Sequence, residues 1–403
     1  MRILILPENN SPSHIGKSLA LESALTAKGH EVFVAADPSR MALIQHLGDR
    51  GRLLPDIQGD NHSGYPTVSW FRDSQRLVEC IKAEVRLLKE LKPDRVLGVF
   101  RFTLKASAHL AEVPFDSLAC GCMLPETPDV LGFAEGENGI DRQRALLKSF
   151  YGITGAQLSR GLQQLGLEPI SDIRIMLKGE RTFLWDFPAF SPLPQLPGVT
   201  HVGPIPWSGW PDDGADLSRI LESPRPLAVL TFGTCIGSAE VAIRMVKLLR
   251  SSGYQVLLAA GGQDDLFQAM ADLPDVITCR FAPLHRILPH TALLACHGGQ
   301  LTVFEALSEL VPVLVLPFQA EQAHNGVCLE RIGCGQRLTP PSVFIGDPGV
   351  YVDAFTSRSD RDLGDDIRGL MENPATPGNL RATKETLAGF HGVETLSSLL
   401  VAG

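Results

Sequence analysis

No apolar run in the 403 residues approaches the ~20 that a membrane-spanning helix needs. The amino terminus, Met1-Arg2-Ile3-Leu4-Ile5-Leu6, is basic and apolar, but it reaches Pro7-Glu8-Asn9-Asn10 too soon to form the apolar core of a signal peptide. It reads as a buried strand, and the expected compartment is the cytoplasm. A basic surplus is also missing. The formal net charge of −9 excludes a general binder of nucleic acid or anionic membrane, because either needs a basic face to meet phosphates. The eight cysteines (80, 120, 122, 235, 279, 296, 328 and 334) contain no Cys-x-x-Cys pair, so they read as reduced, partly buried thiols rather than as a metal or disulfide framework. No carboxylate cluster suggests a divalent metal, and no residue-level repeat relates one half of the chain to the other.

What is present belongs to a folded α/β protein. The residues are 44% hydrophobic and 20% charged, a balance found in globular chains, and the length suits two or three domains. Residues 2–6 form a continuous apolar run, as in a strand buried on both faces of a parallel sheet. A loop rich in Pro, Asn and Ser follows over 7–13, then a helical stripe through Ile15, Leu19, Leu21 and Leu25 that stops at Gly29, then a strand over 31–36. This is an opening βαβ unit. Further alternation predicts a helix over 77–91, a strand over 95–99, a helix over 103–110 and a strand over 113–118. Gly-rich loops and helical pieces occupy 125–169. Prolines crowd 187–226, with Trp207 and Trp210, as in an interdomain connection. The pattern then restarts, with strands at 227–232, 255–260, 276–281, 292–295 and 313–316 and a helix at 240–249. The expectation is two doubly wound parallel-sheet lobes: an N-terminal lobe over 1–200, a linker over 201–226, a C-terminal lobe over 227–385, and a last helix over 386–403 that returns to the first lobe.

Chemistry concentrates at the carboxyl ends of these strands, where open parallel sheets bind ligands. A strand ending in Cys296-His297-Gly298-Gly299 and turning at once into a helix aims free backbone N–H groups and the positive end of the helix dipole at any anion in front of it. That suits a diphosphate. Glu305, about one turn further on, is placed for a hydroxylated neighbour such as a ribose. Gly233-Thr234 follows the first strand of the second half and offers a hydroxyl and an N–H to phosphate. Phe281 offers a flat face to a base. Glu321-Gln322 places a carboxylate beside an amide, a pair suited to sugar hydroxyls. In the first half, His14 lies in the loop before the first helix, where a neutral imidazole can take a proton from a hydroxyl.

In this order the residues resemble the GT-B-fold nucleotide-sugar-dependent glycosyltransferases, in the inverting group of UDP-glycosyltransferases and macrolide and other antibiotic glycosyltransferases. The likeness rests on Ser13-His14, Lys28-Gly29-His30-Glu31-Val32, Phe100-Arg101, Ser107-Ala108 and Val113-Pro114 in the first half. In the second half it rests on Phe281-Ala282-Pro283, His297-Gly298-Gly299-Gln300-Leu301-Thr302, Glu305-Ala306-Leu307, Val311-Pro312, Pro317, Glu321-Gln322, Asn325 and Gly333-Cys334-Gly335. The resemblance implies two Rossmann-like lobes facing a central cleft, a UDP- or dTDP-sugar donor and a small, lipophilic or natural-product acceptor. Phe281 would stack on the base and Glu305 would hold the ribose. Thr234, His297, Gly298, Gly299 and Thr302 would surround the diphosphate, and Glu321 with Gln322 would bind the sugar. His14 would be the catalytic base, with no metal and no further cofactor, and a homodimer is allowed.

Two departures stand out. Val99 lies where the family commonly has an Asp that orients the His, and Lys17 replaces a frequent Pro. Glu8, Asp37, Asp116 and Glu126 are the candidate substitutes for the acid. The competing readings are a nucleotide-sugar-binding partner protein without catalysis and a GT-B-fold epimerase.

Overall fold

A computed structural model describes the chain except for Asn10, residues 58–67, 210–222, 235–236, 271–272, 274–275 and 344–345, and Gly403. Trp210, Cys235 and the middle of the proline-rich passage lie outside the described residues. The chain divides into two compact units. The first comprises Met1–Pro128, Arg144–Trp207 and Phe390–Gly403, and the second comprises Asp129–Gln143 and Ser208–Gly389.

The first unit is built on a seven-stranded parallel sheet. In chain order its strands are β1 (Arg2–Pro7), β2 (Glu31–Ala36), β3 (Gly51–Leu53), β4 (Arg95–Val99), β5 (Phe115–Ala119), β6 (Arg181–Leu184) and β7 (Val199–His201). Their order in the sheet is β3-β2-β1-β4-β5-β6-β7. The central strands are apolar on both faces because helices cover both sides, and Ile3, Leu4, Ile5 and Leu6 are fully buried. Chain order reverses between β1 and β4, whose register runs from Ile3 opposite Arg95 to Pro7 opposite Val99. The carboxyl ends of those two strands therefore flank the topological switch point.

The second unit repeats the topology with six parallel strands: β8 (Leu227–Thr231), β9 (Gln255–Ala259), β10 (Val276–Cys279), β11 (Thr291–Cys296), β12 (Val313–Val315) and β13 (Gly335–Arg337). Their order is β10-β9-β8-β11-β12-β13, which puts the switch point between β8 and β11. One face of the sheet packs Leu230, Leu258 and Leu314 against Met245, Val246 and Leu249 of the helix Ala239–Ser251.

Two of the differences from the sequence expectation lie in the stretch 125–226. The stretch over 125–169 holds a long helix, Ile140–Gln164, rather than short pieces. Its glycines permit close approach: a β-carbon at Gly161 would stand 2.5 Å from Leu77 Cδ2. The proline-rich passage is not purely a connection either, since β7 lies inside it and pairs with β6.

Candidate functional site

In the second unit, the loops after β8, β9, β10 and β11 converge on one point. β8 ends at Thr231, whose main-chain oxygen accepts the His297 N–H at 3.2 Å and so ties the turn after β11 to the turn after β8. The His297 ring lies between two glycines. A β-carbon at Gly233 would meet His297 Cε1 at 2.7 Å, and one at Gly299 would meet Nε2 at 2.5 Å. Gly233 and Gly298 also hold positive φ, 66° and 91°, which glycine adopts without a steric penalty. Gly299 is the N-cap of the helix Gln300–Ser308 and has no side chain with which to cap the first-turn amides. Those amides and the helix dipole present an anion-binding end. Thr302 and Glu305 follow on this helix three residues apart, on one face, and both are partly exposed. Burial lowers the His297 pKa to about 4, mainly by desolvation, with the Thr231 backbone opposing. The ring is neutral at ordinary pH and acts there as a hydrogen-bonding group rather than as a cation.

The fifth loop follows β12. Gln322 is buried and its Oε1 accepts the Phe318 N–H at 2.9 Å, so that oxygen is engaged in holding the loop. Asn325 Nδ2 donates to Gly298 O and to Glu321 Oε1, both at 2.8 Å, and thereby joins the anion-binding turn to the carboxylate. Thr234 is exposed at the rim and Phe281 is partly buried.

Sequence reasoning missed the loop after β9. Gly261 and Gly262 have φ of 62° and 79°. A β-carbon at Gly261 would overlap Gly233 O at 1.8 Å, and one at Gly262 would meet Phe281 Cζ at 2.7 Å. Gln263 Nε2 donates to Gly233 O at 2.9 Å. The signal was a Gly-Gly pair directly after a strand, the same signal that drew attention to Gly298-Gly299.

In the first unit, His14 is not in a loop: it is the third residue of the helix Pro12–Ala27, which starts earlier than the apolar stripe suggested. Ser11 caps this helix by accepting the Ser13 N–H, and Pro12 suits a first helical position, where its missing N–H costs nothing. The His14 ring centroid lies 5.2 Å from that of Phe100 and 5.6 Å from that of Trp185. Phe100, directly after β4, holds φ 58°, a strained conformation for an aromatic residue and one that accompanies functional positions. Lys17, one turn after His14, places its ammonium 4.7 Å from the centre of the Trp185 ring. Burial lowers the His14 pKa to about 3, the Lys17 charge adds to that, and the Glu8 backbone opposes it.

Of the candidate orienting carboxylates, Asp116, Glu126 and Asp37 have other partners. Asp116 is ion-paired with Arg181 at 2.6 Å and with Arg95 at 3.1 Å. Glu126 pairs with Lys178, and Asp37 accepts the Ser39 N–H at 2.9 Å. Glu8 is buried, its N–H donating to Val99 O at 2.9 Å, and it meets His14 through its backbone. A different buried network fixes the loops around His14. Arg101 is paired with Glu84 at 2.8 Å and with Asp56 at 3.5 Å, and it donates to Pro7 O at 3.2 Å. Asn9 donates to Asp56 Oδ2 at 2.5 Å.

No protein-family model matches the chain. A spinosyn rhamnosyltransferase, SpnG, matches the structure with a TM-score of 0.71 at 19% identity over 99% of both chains. The glycosyltransferase VinC, in complex with dTDP, matches with a TM-score of 0.68 at 18% identity over 100% of this chain and 98% of its own. The fold is GT-B. In sequence, a PGL/p-HBAD biosynthesis rhamnosyltransferase of Mycobacterium bovis (strain BCG / Pasteur 1173P2) is 28% identical over 353 residues, 84% of this chain and 76% of that protein. A demethyllactenocin mycarosyltransferase of Streptomyces fradiae is 33% identical over 127 residues, 30% of this chain and 27% of that protein. The chain is an enzyme of the glycosyltransferase class. Among the described residues, no helix is long and apolar enough to cross a membrane.

Proposed function

We propose that the protein transfers a sugar, with inversion, from a UDP- or dTDP-linked donor to a hydroxyl of a small, lipophilic or natural-product acceptor. The observation that carries this reading is the seat made by Gly233, His297 and Gly299 at the β8/β11 switch point, against a helix N-terminus that no side chain of its cap residue fills. In this reading the diphosphate lies against His297, Gly298, Gly299, Thr302 and Thr234, the base stacks on Phe281, Glu305 takes the ribose and Glu321 takes sugar hydroxyls. Gln322, with its oxygen engaged by Phe318, serves chiefly to shape the loop that carries Glu321. The donor belongs to the second unit and the acceptor to the first. Solved relatives in complex with thymidine diphosphate favour the dTDP branch.

The chemistry follows from charge. As the anomeric bond breaks, negative charge grows on the departing diphosphate, and preorganised amides and a neutral imidazole donor stabilise it without reorganising. No divalent metal is required for that step. His14 takes the acceptor proton as the hydroxyl attacks. Its low pKa keeps the imidazole unprotonated and available, and also makes it a weak base, which favours acceptors whose hydroxyl is readily ionised. The protein works in the cytoplasm, where nucleotide sugars are made.

The test is release of nucleoside diphosphate from dTDP- and UDP-sugars across an acceptor panel. Release that requires an acceptor, with a glycosylated product of inverted anomeric configuration, supports the proposal. Tight donor binding without turnover would replace it with a binding protein, and a change in the sugar of the donor without transfer would replace it with an epimerase.

A further inference from the structure

The helix Ala320–Arg331 carries the proposed sugar-binding Glu321 in its first turn, and a separate cluster lies further along it. His324 and Cys328 are four residues apart and thus on one face. Asp129 comes to them from the segment Asp129–Gln143 of the same unit. His324 Nε2 stands 3.5 Å from Asp129 Oδ2 and 3.5 Å from Cys328 Sγ, and the three ligand atoms all lie within 4.8 Å of one another. His324 and Cys328 are buried, while Asp129 is partly exposed and leaves the group open to solvent on one side.

We propose that Asp129, His324 and Cys328 form a binding site for a zinc ion, with water as the fourth ligand. Tetrahedral zinc holds N, O and S ligands at bonds of ~2.0–2.3 Å, which places ligand atoms roughly 3.3–3.8 Å apart. The His–Asp and His–Cys separations already meet that requirement, and the Asp–Cys edge needs at most a side-chain adjustment. The donor set also selects the ion: a thiolate and an imidazole favour zinc over magnesium or calcium, which take oxygen ligands.

Arg331 sharpens the proposal. Its Nη2 lies 2.9 Å from Asp129 Oδ2 and 3.4 Å from Cys328 Sγ, so in this structure a guanidinium stands where the cation would. Arg331 ends the helix and is about one-third exposed, so it can swing to solvent while the metal enters and the Cys328 proton leaves to bulk water. Guanidinium and metal compete for one carboxylate and one thiol. The site joins the segment Asp129–Gln143 to the helix that bears Glu321, and it takes no part in the sugar transfer itself. Sequence spacing could not reveal it, because the ligands come from distant segments.

The test uses the full-length protein, stripped with a chelator, and Co2+ as the probe. The expected result is one Co2+ per chain with a thiolate-to-cobalt charge-transfer band, displaced by Zn2+. Cys328→Ser should abolish the band, His324→Ala should weaken binding by about tenfold or more, and Arg331→Gln should bind Co2+ more tightly. Asp129→Asn, at a partly exposed position that need not disturb folding, should weaken binding while keeping the band at saturation. Absence of stoichiometric uptake by the unmodified protein would overturn the proposal, as would a band that survives in Cys328→Ser or an affinity that Arg331→Gln leaves unchanged.

Discussion

The imidazole of His297 rests against the α-carbon of Gly233, closely enough that a β-carbon there would stand 2.7 Å from Cε1. Gly233→Ala therefore faces both a clash and a φ of 66°, and should lose about 1–3 kcal/mol of stability. Because the residue sits at the proposed diphosphate seat, the KM for the donor should rise by about tenfold or more while the acceptor KM changes little. Steady-state kinetics with each substrate varied in turn, alongside urea denaturation, separates the two effects.

His297→Ala removes a neutral donor from the seat. The expected loss is in kcat, by about 100-fold, with a smaller change in donor KM, since the interaction strengthens as charge develops on the leaving group. His297→Asn, which keeps a donor, should recover part of it. Equal kcat in Ala and Asn variants would remove His297 from the leaving-group site.

His14→Ala should lower kcat/KM for an alkyl hydroxyl acceptor by about 10²–10⁴-fold and for a phenolic one by less, because a phenol needs less help in losing its proton. Lys17 is one of the causes that lower the His14 pKa, so Lys17→Met should raise that pKa and move the acid limb of the rate profile to higher pH. A limb that stays in place would show that another group sets it.

The same burial predicts acid lability. His14 and His297 are held near 3 and 4 in the folded protein, below the 6.5 of an exposed histidine, so between those values the unfolded chain binds more protons. Stability therefore rises with pH across roughly 3 to 6.5 and is lost on acidification through that window. Denaturation curves at pH 7 and pH 5 should differ more for the native protein than for His14→Gln, which has nothing to protonate.

Arg101 is buried between Glu84 and Asp56. Arg101→Met would leave two buried carboxylates without their cation, a loss of about 3–5 kcal/mol, and would free the loop that presents Phe100 to His14. A melting temperature unchanged within a few degrees would contradict this.

Most central strands were legible because a strand buried on both faces has to be apolar throughout: 31–36 and 95–99 match their observed bounds. The short edge strands Gly51–Leu53 and Gly335–Arg337 were not, since three residues that include a glycine and an arginine are too few to carry a periodic apolar signal. The long helix Ile140–Gln164 was obscured by glycines that serve close packing rather than turns.

The sequence by itself determined two doubly wound sheets, because strands buried on both faces must be apolar and helix ends depend on residue type and local spacing. Only the tertiary structure decided that the Gly261-Gly262 loop closes over Gly233, that His14 lies within its helix beside Phe100, Trp185 and Lys17, and that Asp129 reaches His324 and Cys328. Those relations join residues far apart in the chain, and chain order does not encode the distances that set their pKa values, their clashes and their capacity to share an ion.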